Sequence, residues 1–531
     1  MRDFHKAGRS PIYASDGAAA TSHPLATAAA IDCLRAGGSA IDAAVTASAV
    51  LAVVEPAMTG IGGDCFVLMS KGGSDDIIAY NGNGAAPLKA KVEHFQERGI
   101  TEIAADSIHA VTIPGAIEAW CRLVQDHGKF GIDKLLQPAI HYAENGFPVA
   151  PRVAYDWAQE EGKLSANAAA AGSYLVNGKA PKIGDRVRLP LLAKTLREIA
   201  AKGAAGFYQG WVAEDMAHAM AALGGLHAQE DFARHRGDYV TPISTEYKGV
   251  KLWECPPPGQ GLTALLMLNI LSAYGPEKAG SDPFGVDRFH LQLEAAKLAY
   301  RERNTHIADP AFAKVPVAGL LSGAHAKALA GLIKQDKAID LGAVGQFPKH
   351  PDTTYLTVVD KDRNAVSFIN SVYYGFGSGR MAPKSGVLMQ NRGACFVVDP
   401  KHPNCIGPGK RSMHTIIPAM VTKNGKAVMP YGVMGGDYQP VGQVHALTNM
   451  LEYGMDPQAA LDAPRAFYDE GTLWVESGIP SATAAGLAAR GHNVQLIADP
   501  LGGGQAIWID WQKGVLVAGS DPRKDGCALG Y

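Results

Sequence analysis

The sequence carries no charge excess of either sign. Lys and Arg number 49 and Asp and Glu 51, a formal charge of −2 over 531 residues. No electrostatic footprint for nucleic acid or an anionic membrane is present, and neither partner is expected. Paired cysteines are also missing: the seven present (Cys33, Cys65, Cys121, Cys255, Cys395, Cys405, Cys527) are odd in number, scattered and never spaced Cys-x-x-Cys. They read as reduced core or pocket residues of a cytoplasmic protein. The longest apolar run, Ala43 to Val54, is too short and alanine-rich to span a bilayer and stops at Glu55-Pro56. Met1 to Thr21 lacks the apolar stretch of a signal peptide, so a soluble, cytoplasmic protein is expected. No low-complexity tract and no internal repeat occurs.

Several catalytic signatures are missing too. There is no His-Glu-x-x-His, and the 17 histidines never form a ligand pair at helical spacing, so no metal is expected. Gly60-Ile61-Gly62-Gly63-Asp64 departs from a dinucleotide fingerprint because Cys65 stands where the third glycine belongs. These glycines read as turn and close-packing residues. Gly407-Pro408-Gly409-Lys410-Arg411-Ser412 lacks the leading glycine and the hydroxyl after lysine of a phosphate loop, and reads as a basic turn. No Gly-x-Ser-x-Gly elbow occurs. No cofactor is expected.

What is there describes a well-packed globular chain, 47% hydrophobic and 19% charged, with 61 Gly and 32 Pro for tight turns. A short strand is expected at Pro11 to Ser15. Ser22 or His23 caps a helix to Arg35 and Ser39 caps another to Val53; Gly60 to Met69 then reads as a glycine-rich turn entering a strand, with Ile77 to Tyr80 as its partner. Pro114 to Asn304 is mostly helical by period, with helices from Pro114-Gly115, Leu135 to Glu144, Leu191 to Ala201, Val212 to Leu223, Thr263 to Ser272 and Asp287 to Arg303. After a helix at Gly323 to Lys334, a polar segment up to Pro351 reads as an exposed linker. Beyond Thr353 strands dominate: Tyr355 to Val359, Ala365 to Val372, Gly386 to Gln390, Ala419 to Thr422, Ala427 to Val433, Leu473 to Glu476, Ala506 to Ile509 and Val515 to Ala518. Helices at Gln439 to Glu452 and Pro480 to Arg490 intervene. A helix-rich first part followed by a mixed part predicts a layered α/β (α+β) sandwich built from both.

Two stretches carry the chemistry. Asp352-Thr353-Thr354 opens a β-hairpin whose strands flank Asp360 to Asn364. A hydroxyl at a strand start becomes a strong nucleophile once the preceding peptide bond is broken, because the freed α-amine can serve as its base. An ordinary strand start, where Thr is common, is the other reading. Gly435-Gly436, between a strand and a helix, can turn two N–H groups toward one point, as an oxyanion needs, or simply form a tight turn.

Ordered motifs along nearly the whole chain add to this: Ser22-His23-Pro24-Leu25-Ala26, Gly37-Gly38-Ser39-Ala40-Ile41-Asp42-Ala43-Ala44, Gly60-Ile61-Gly62-Gly63-Asp64 and Thr112-Ile113-Pro114-Gly115. Asp352-Thr353-Thr354, Gly377-Ser378-Gly379, Pro408-Gly409-Lys410-Arg411, Met434-Gly435-Gly436, Asp462-Ala463-Pro464-Arg465 and Ser520-Asp521-Pro522-Arg523 continue the series. With them the chain resembles the γ-glutamyltransferase family of N-terminal-nucleophile hydrolases. The resemblance implies a four-layer αββα sandwich and a proenzyme that cuts itself between Asp352 and Thr353. The products would be a large fragment, 1–352, and a small one, 353–531, held as a heterodimer; a dimer of such heterodimers stays open. Thr353 would then be the nucleophile with its own α-amine as base, Ser371 its hydroxyl partner, and Gly435 and Gly436 the oxyanion donors.

At the substrate positions the chain departs from the family. Asn83 matches the arginine that grips the substrate α-carboxylate, Cys395 the aspartate that holds the α-amino group, Tyr373 an asparagine, and His414-Thr415 a serine pair. A bidentate arginine clamp cannot be rebuilt from asparagine. Arg392 and His414 are new polar groups at pocket positions; Arg392 could bind a smaller or differently placed carboxylate, and for each the other reading is a residue at the surface or behind the pocket. The pattern resembles the oxamate amidohydrolase branch, which implies hydrolysis of a small amide bearing a carboxylate. Alternatives are a γ-glutamyl hydrolase or transferase acting on glutathione, an acylase for larger side chains, and an inactive binding relative.

Overall fold

The computed structural model describes residues 8–340 and 351–531; of Pro351 and Asp352 it describes the backbone alone. The first seven residues and most of the expected linker, 341–350, lie outside the described residues.

Two seven-stranded sheets form the centre. One runs, edge to edge, through Ile12–Ala14, Val515–Ser520, Gly503–Asp510, Lys426–Met434, Ala419–Lys423, Val250–Glu254 and Ile243–Tyr247. The other runs through Cys527–Gly530, Ala18–Thr21, Pro351–Val359, Ala365–Tyr374, Asp64–Ser70, Ile77–Gly82 and Asp238–Val240. Side chains alternate across each strand, so Phe66, Leu68, Tyr355 and Ile369 point into the core between the sheets, with Met420 and Ile507 opposite. Val67, Leu356, Val358 and Phe368 point the other way, onto a helical layer that includes Pro24–Arg35 and Ala40–Val54. A second helical layer, Gly261–Tyr274, Val286–His306 and Gln439–Tyr453, covers the outer face of the first sheet. The architecture is a four-layer αββα sandwich.

Local chemistry explains the helices. Ser39 and Asp42 form a reciprocal capping box, Ser39 accepting from the Asp42 N–H and Asp42 from the Ser39 N–H at 2.8 Å. His23 caps the preceding helix through Nδ1, and Pro24 occupies its first position. Every residue of Ala40–Val54 is buried, which its alanines permit, since bulkier side chains would hold the sheet off.

The structure also corrects several expectations. The strand bearing Thr353 begins at Pro351, because Pro351 and Asp352 pair with Tyr374 and Tyr373. Gly386 to Gln390 is a loop; its backbone bonds go to Ser378, Arg380, Ala382 and Gly62 instead of a sheet ladder. The helix from Gly323 stops at Ala330, just before Gly331. The hairpin Ile243–Tyr247/Val250–Glu254 lies inside the stretch read as helical, and Ala18–Thr21 and Cys527–Gly530 are strands that went unread. The alanines of Ala18–Thr21 have little β preference; a place beside Pro351–Val359 decides their conformation.

Gly62 and Gly63 are close-packing glycines, as expected. A Cβ on Gly63 would stand 2.2 Å from the Ser371 carbonyl oxygen. Gly63→Ala is therefore expected to destabilise by about 3 kcal/mol, the upper range for overpacking, read as a lower chemical-denaturation midpoint. An unchanged midpoint would mean that these strands separate without cost.

Candidate functional site

Thr353 sits on an interior strand, opposite an irregularity in its neighbour. Asp352 pairs with Tyr373 and Thr354 with Asn370, so Ser371 and Val372 together face the single residue Thr353. Such a bulge re-aims side chains. It turns Ser371 Oγ to within 3.1 Å of Thr353 Oγ1, both buried. Tyr373 follows at φ 84°, a left-handed conformation that costs a side-chain-bearing residue energy. That turn lets the Tyr373 N–H donate to Ser371 Oγ at 2.9 Å. Arg392 Nη2 donates to the same oxygen at 3.2 Å. With both lone pairs occupied, the Ser371 hydroxyl can only donate.

Arg392 is fully buried and so is not a surface residue. Its Nη1 donates to Thr415 Oγ1 at 2.7 Å, and its guanidinium lies 4.0 Å from the centre of the Tyr373 ring. Its Nε meets no acceptor among the described residues. Cys395 Sγ is 4.0 Å from Arg392 Nη1 and is a free thiol whose pKa burial raises. Asn83 Nδ2 donates to the Ser412 carbonyl at 3.1 Å, while its Oδ1 has no described partner. His414 is used within the protein: Nδ1 accepts from the Ile416 N–H at 3.2 Å and Nε2 faces Asp64 Oδ2 at 3.1 Å. Burial and the charge of Arg392 hold His414 well below its ordinary pKa, so the ring is neutral.

Asp64, unremarked in the sequence beyond its place in a glycine-rich motif, is the hub beneath these groups. Its Oδ1 accepts from the N–H groups of Gly84 and Gly115 at 3.0 Å each and from Gln390 Nε2 at 2.9 Å. On the far side of Thr353, Gly435 (φ 121°) and Gly436 (φ 54°) form the turn after Lys426–Met434 in a conformation that glycine alone adopts readily. Neither N–H is engaged by a described residue. Gln260 Nε2 donates to the Gly436 carbonyl at 2.9 Å, Arg303 pairs with Asp437, and the Tyr300 hydroxyl donates to the Asp437 carbonyl. These braces were missed because nothing in the local sequence of Gln260 or Arg303 points to a glycine turn more than a hundred residues on. Thr353, Gly435 and Asp437 line a cavity of about 520 Å³. Tyr373, Asn83, Arg392, Cys395, His414 and Thr415 do not line it; the backbone of Pro351 and Asp352 lies alongside Tyr374 and Tyr373.

Among the described residues one group of metal-ligating side chains converges, His290, Glu294 and His492. Glu294 is already paired with the Lys297 ammonium at 2.7 Å, which competes with any cation there. Among those residues, too, no helix is long and apolar enough to cross a membrane.

A four-layer αββα sandwich of this build is the fold of the N-terminal-nucleophile hydrolases. The family model described as gamma-glutamyltranspeptidase matches residues 26–531, and the chain belongs to that family. It is an enzyme, an amide-bond hydrolase of the N-terminal-nucleophile type. It is 38% identical over 520 residues to the glutathione hydrolase-like YwrD proenzyme of Bacillus subtilis, covering 96% of this chain and 97% of that one. Identity to the oxamate amidohydrolase proenzyme of Klebsiella pneumoniae is 37% over 530 residues, covering 97% and 98%. The crystal structure of a cephalosporin acylase from Bacillus halodurans superposes with a TM-score of 0.93 at 38% identity, covering 100% of this chain and 98% of that one.

Burial raises the Asp64 carboxyl from 3.8 to about 6, against the lowering pull of Arg392 and its hydrogen bonds. The native state therefore binds this proton more tightly than the unfolded chain. The stability this gives is whole below 3.8 and is lost as pH rises through about 6. The loss is about 3 kcal/mol. Asp64→Asn is expected to flatten the stability profile over that window, measured by denaturation at successive pH values; Glu55 and Asp469, both raised to about 7, supply a residual slope. An unaltered profile would show that Asp64 titrates normally.

Proposed function

We propose that the protein cuts itself before Thr353 and then hydrolyses a small amide bearing a carboxylate, of the oxamate type, through a threonyl ester. In the first reaction Thr353 Oγ1 attacks the Asp352 carbonyl carbon, the C–N bond breaks, and the proton passes to the departing nitrogen. Water then splits the ester, leaving Asp352 as a carboxylate and Thr353 with a free α-amine. The two fragments remain together as a heterodimer. In turnover that amine, near neutral in pKa, takes the Thr353 hydroxyl proton as the oxygen attacks the substrate. Ser371 donates to the developing oxyanion of Thr353. The N–H groups of Gly435 and Gly436 receive the tetrahedral oxyanion, each donor contributing about 3 kcal/mol.

One observation carries the substrate reading: Arg392 reaches the Ser371 hydroxyl beside the nucleophile and keeps a buried Nε donor without a described acceptor. A carboxylate one bond from the scissile carbonyl suits such a donor. The backbone of Pro351 and Asp352 lies against Tyr373 and Tyr374 before cleavage, so their release clears the way to that face. The γ-glutamyl alternative finds no charged anchor at Asn83 or Cys395. The name of the Klebsiella pneumoniae relative supports the oxamate reading, and that of the Bacillus subtilis relative the γ-glutamyl one.

The test is ammonia release from oxamate against glutamate release from glutathione. Oxamate is expected to turn over faster; turnover of glutathione alone overturns the substrate reading. Arg392→Ala is expected to raise KM for oxamate roughly ten-fold or more while both fragments still form. Loss of self-cleavage in that variant would give Arg392 a structural role instead. Thr353→Ala is expected to remain uncut and inactive, and Thr353→Ser to cut.

A further inference from the structure

The cavity beside Thr353 is far larger than ammonia needs. A water-sized molecule takes about 30 Å³ of liquid, whereas this space holds about 520 Å³, within the range of pockets for drug-sized ligands. Its position relative to the scissile bond says which half of a substrate it takes. In the proposed self-cleavage the acyl half is Asp352, whose backbone pairs with Tyr373. On the proposed reading, with Arg392 holding the substrate carboxylate beside Tyr373, the acyl half lies on that side and the space on the Gly435 side is left for the amine half.

The walls have a distinct chemistry. Four rings, Tyr155, Tyr438, Phe467 and Trp474, face the space; Tyr438 and Phe467 meet edge to face at 5.5 Å. Six carboxylates and two cations share it. Most of these charges are spent: Asp437 pairs with Arg303, Asp156 with Arg152 and Lys524, and Glu160 with Lys163, while Asp499 accepts the Tyr155 hydroxyl. Asp469 and Glu470 have no ion pair among the described residues. Both belong to the tight turn joining the hairpin Ala466–Asp469/Thr472–Val475, where Glu470 (φ 45°) and Gly471 (φ 84°) adopt the backbone of a two-residue hairpin loop. Asp469 Oδ1 is buried and meets no donor among the described residues. Asp469 as a whole is half-buried, and an aromatic space lined by a half-buried carboxylate with no ion pair among the described residues suits a ring that carries a positive charge.

We propose that this cavity binds the amine half of the scissile amide and selects a bulky aromatic amine carrying a positive charge, with Asp469 as the residue that reads the charge. The assignment rests on Thr353 being the nucleophile. Thr353 Oγ1 adds to the carbonyl carbon, the C–N bond breaks, and the hydroxyl proton, carried by the α-amine, goes to the departing nitrogen. The aromatic amine leaves with its remote cation in place. Water then hydrolyses the ester, restoring the Thr353 hydroxyl and releasing the acid.

Two measurements on the full, self-processed protein test this. The first is calorimetric binding of benzylamine and of its neutral isostere benzyl alcohol at about pH 8, above the value of about 7 to which burial raises Asp469. Benzylamine is expected to bind roughly ten-fold tighter, Asp469→Asn to erase the difference and Asp469→Glu to keep it. Equal affinity in the wild type, or a preference that survives Asp469→Asn, overturns the proposal. The second compares oxamate with its N-[para-(aminomethyl)benzyl] and N-[para-(hydroxymethyl)benzyl] derivatives. The cationic derivative is expected to exceed oxamate in kcat/KM by roughly ten-fold or more; oxamate as the best of the three overturns it. Failure of the nucleophile reading looks different, since an uncut chain that hydrolyses none of the three still reports on the cavity through benzylamine binding.

Discussion

Everything at this site depends on one strand pairing. Pro351–Val359 lies between Ala18–Thr21 and Ala365–Tyr374, and its partner carries one residue too many opposite Thr353. Regular pairing would send Ser371 to another register; the extra residue and the left-handed Tyr373 bring its hydroxyl onto Thr353. Pairing with Ala365–Tyr374 runs along the strand as far as Pro351, whereas Ala18–Thr21 reaches only Thr357 to Val359. Both sheets mix strands from before and after Thr353: Ile12–Ala14, Ile243–Tyr247 and Val250–Glu254 in one, Ala18–Thr21, Asp64–Ser70, Ile77–Gly82 and Asp238–Val240 in the other. Separating the halves would break ladder hydrogen bonds in both sheets and open the core between them.

The same interleaving governs the electrostatics. Asp64, from the first half, collects four donors and sits beneath His414 and Arg392 from the second. Gln260, Tyr300 and Arg303, again from the first half, fix the turn of Gly435 and Gly436. A buried carboxylate is costly unless paired and hydrogen-bonded, and Asp64 shows that cost in its raised pKa. In exchange the groups around Thr353 are held by partners that do not move with solvent.

Much of this was legible in the sequence because it is local. The capping box at Ser39, the hairpin around Asp360 to Asn364 and the paired glycines after a strand announce themselves within a few residues. Features set by distant contacts did not. The alanine-rich strand Ala18–Thr21 reads as anything but a strand until its neighbours are known, and the bulge opposite Thr353 has no signature in either strand. Arg392 was legible as a new charge near the pocket, but its stacking on Tyr373 was not. His414 turned out to serve Asp64, and the aromatic wall of the cavity is assembled from residues near positions 155, 438 and 470 that nothing in the sequence connects.

The central claim is that Thr353 is a nucleophile made by cutting the chain in front of it. Intact-mass measurement of the purified protein, with sequencing of any new N-terminus, tests it most directly. The account expects two polypeptides, residues 1–352 and 353–531, the second beginning with Thr353. A single uncut chain after long incubation, or a cut at any other bond, would contradict it.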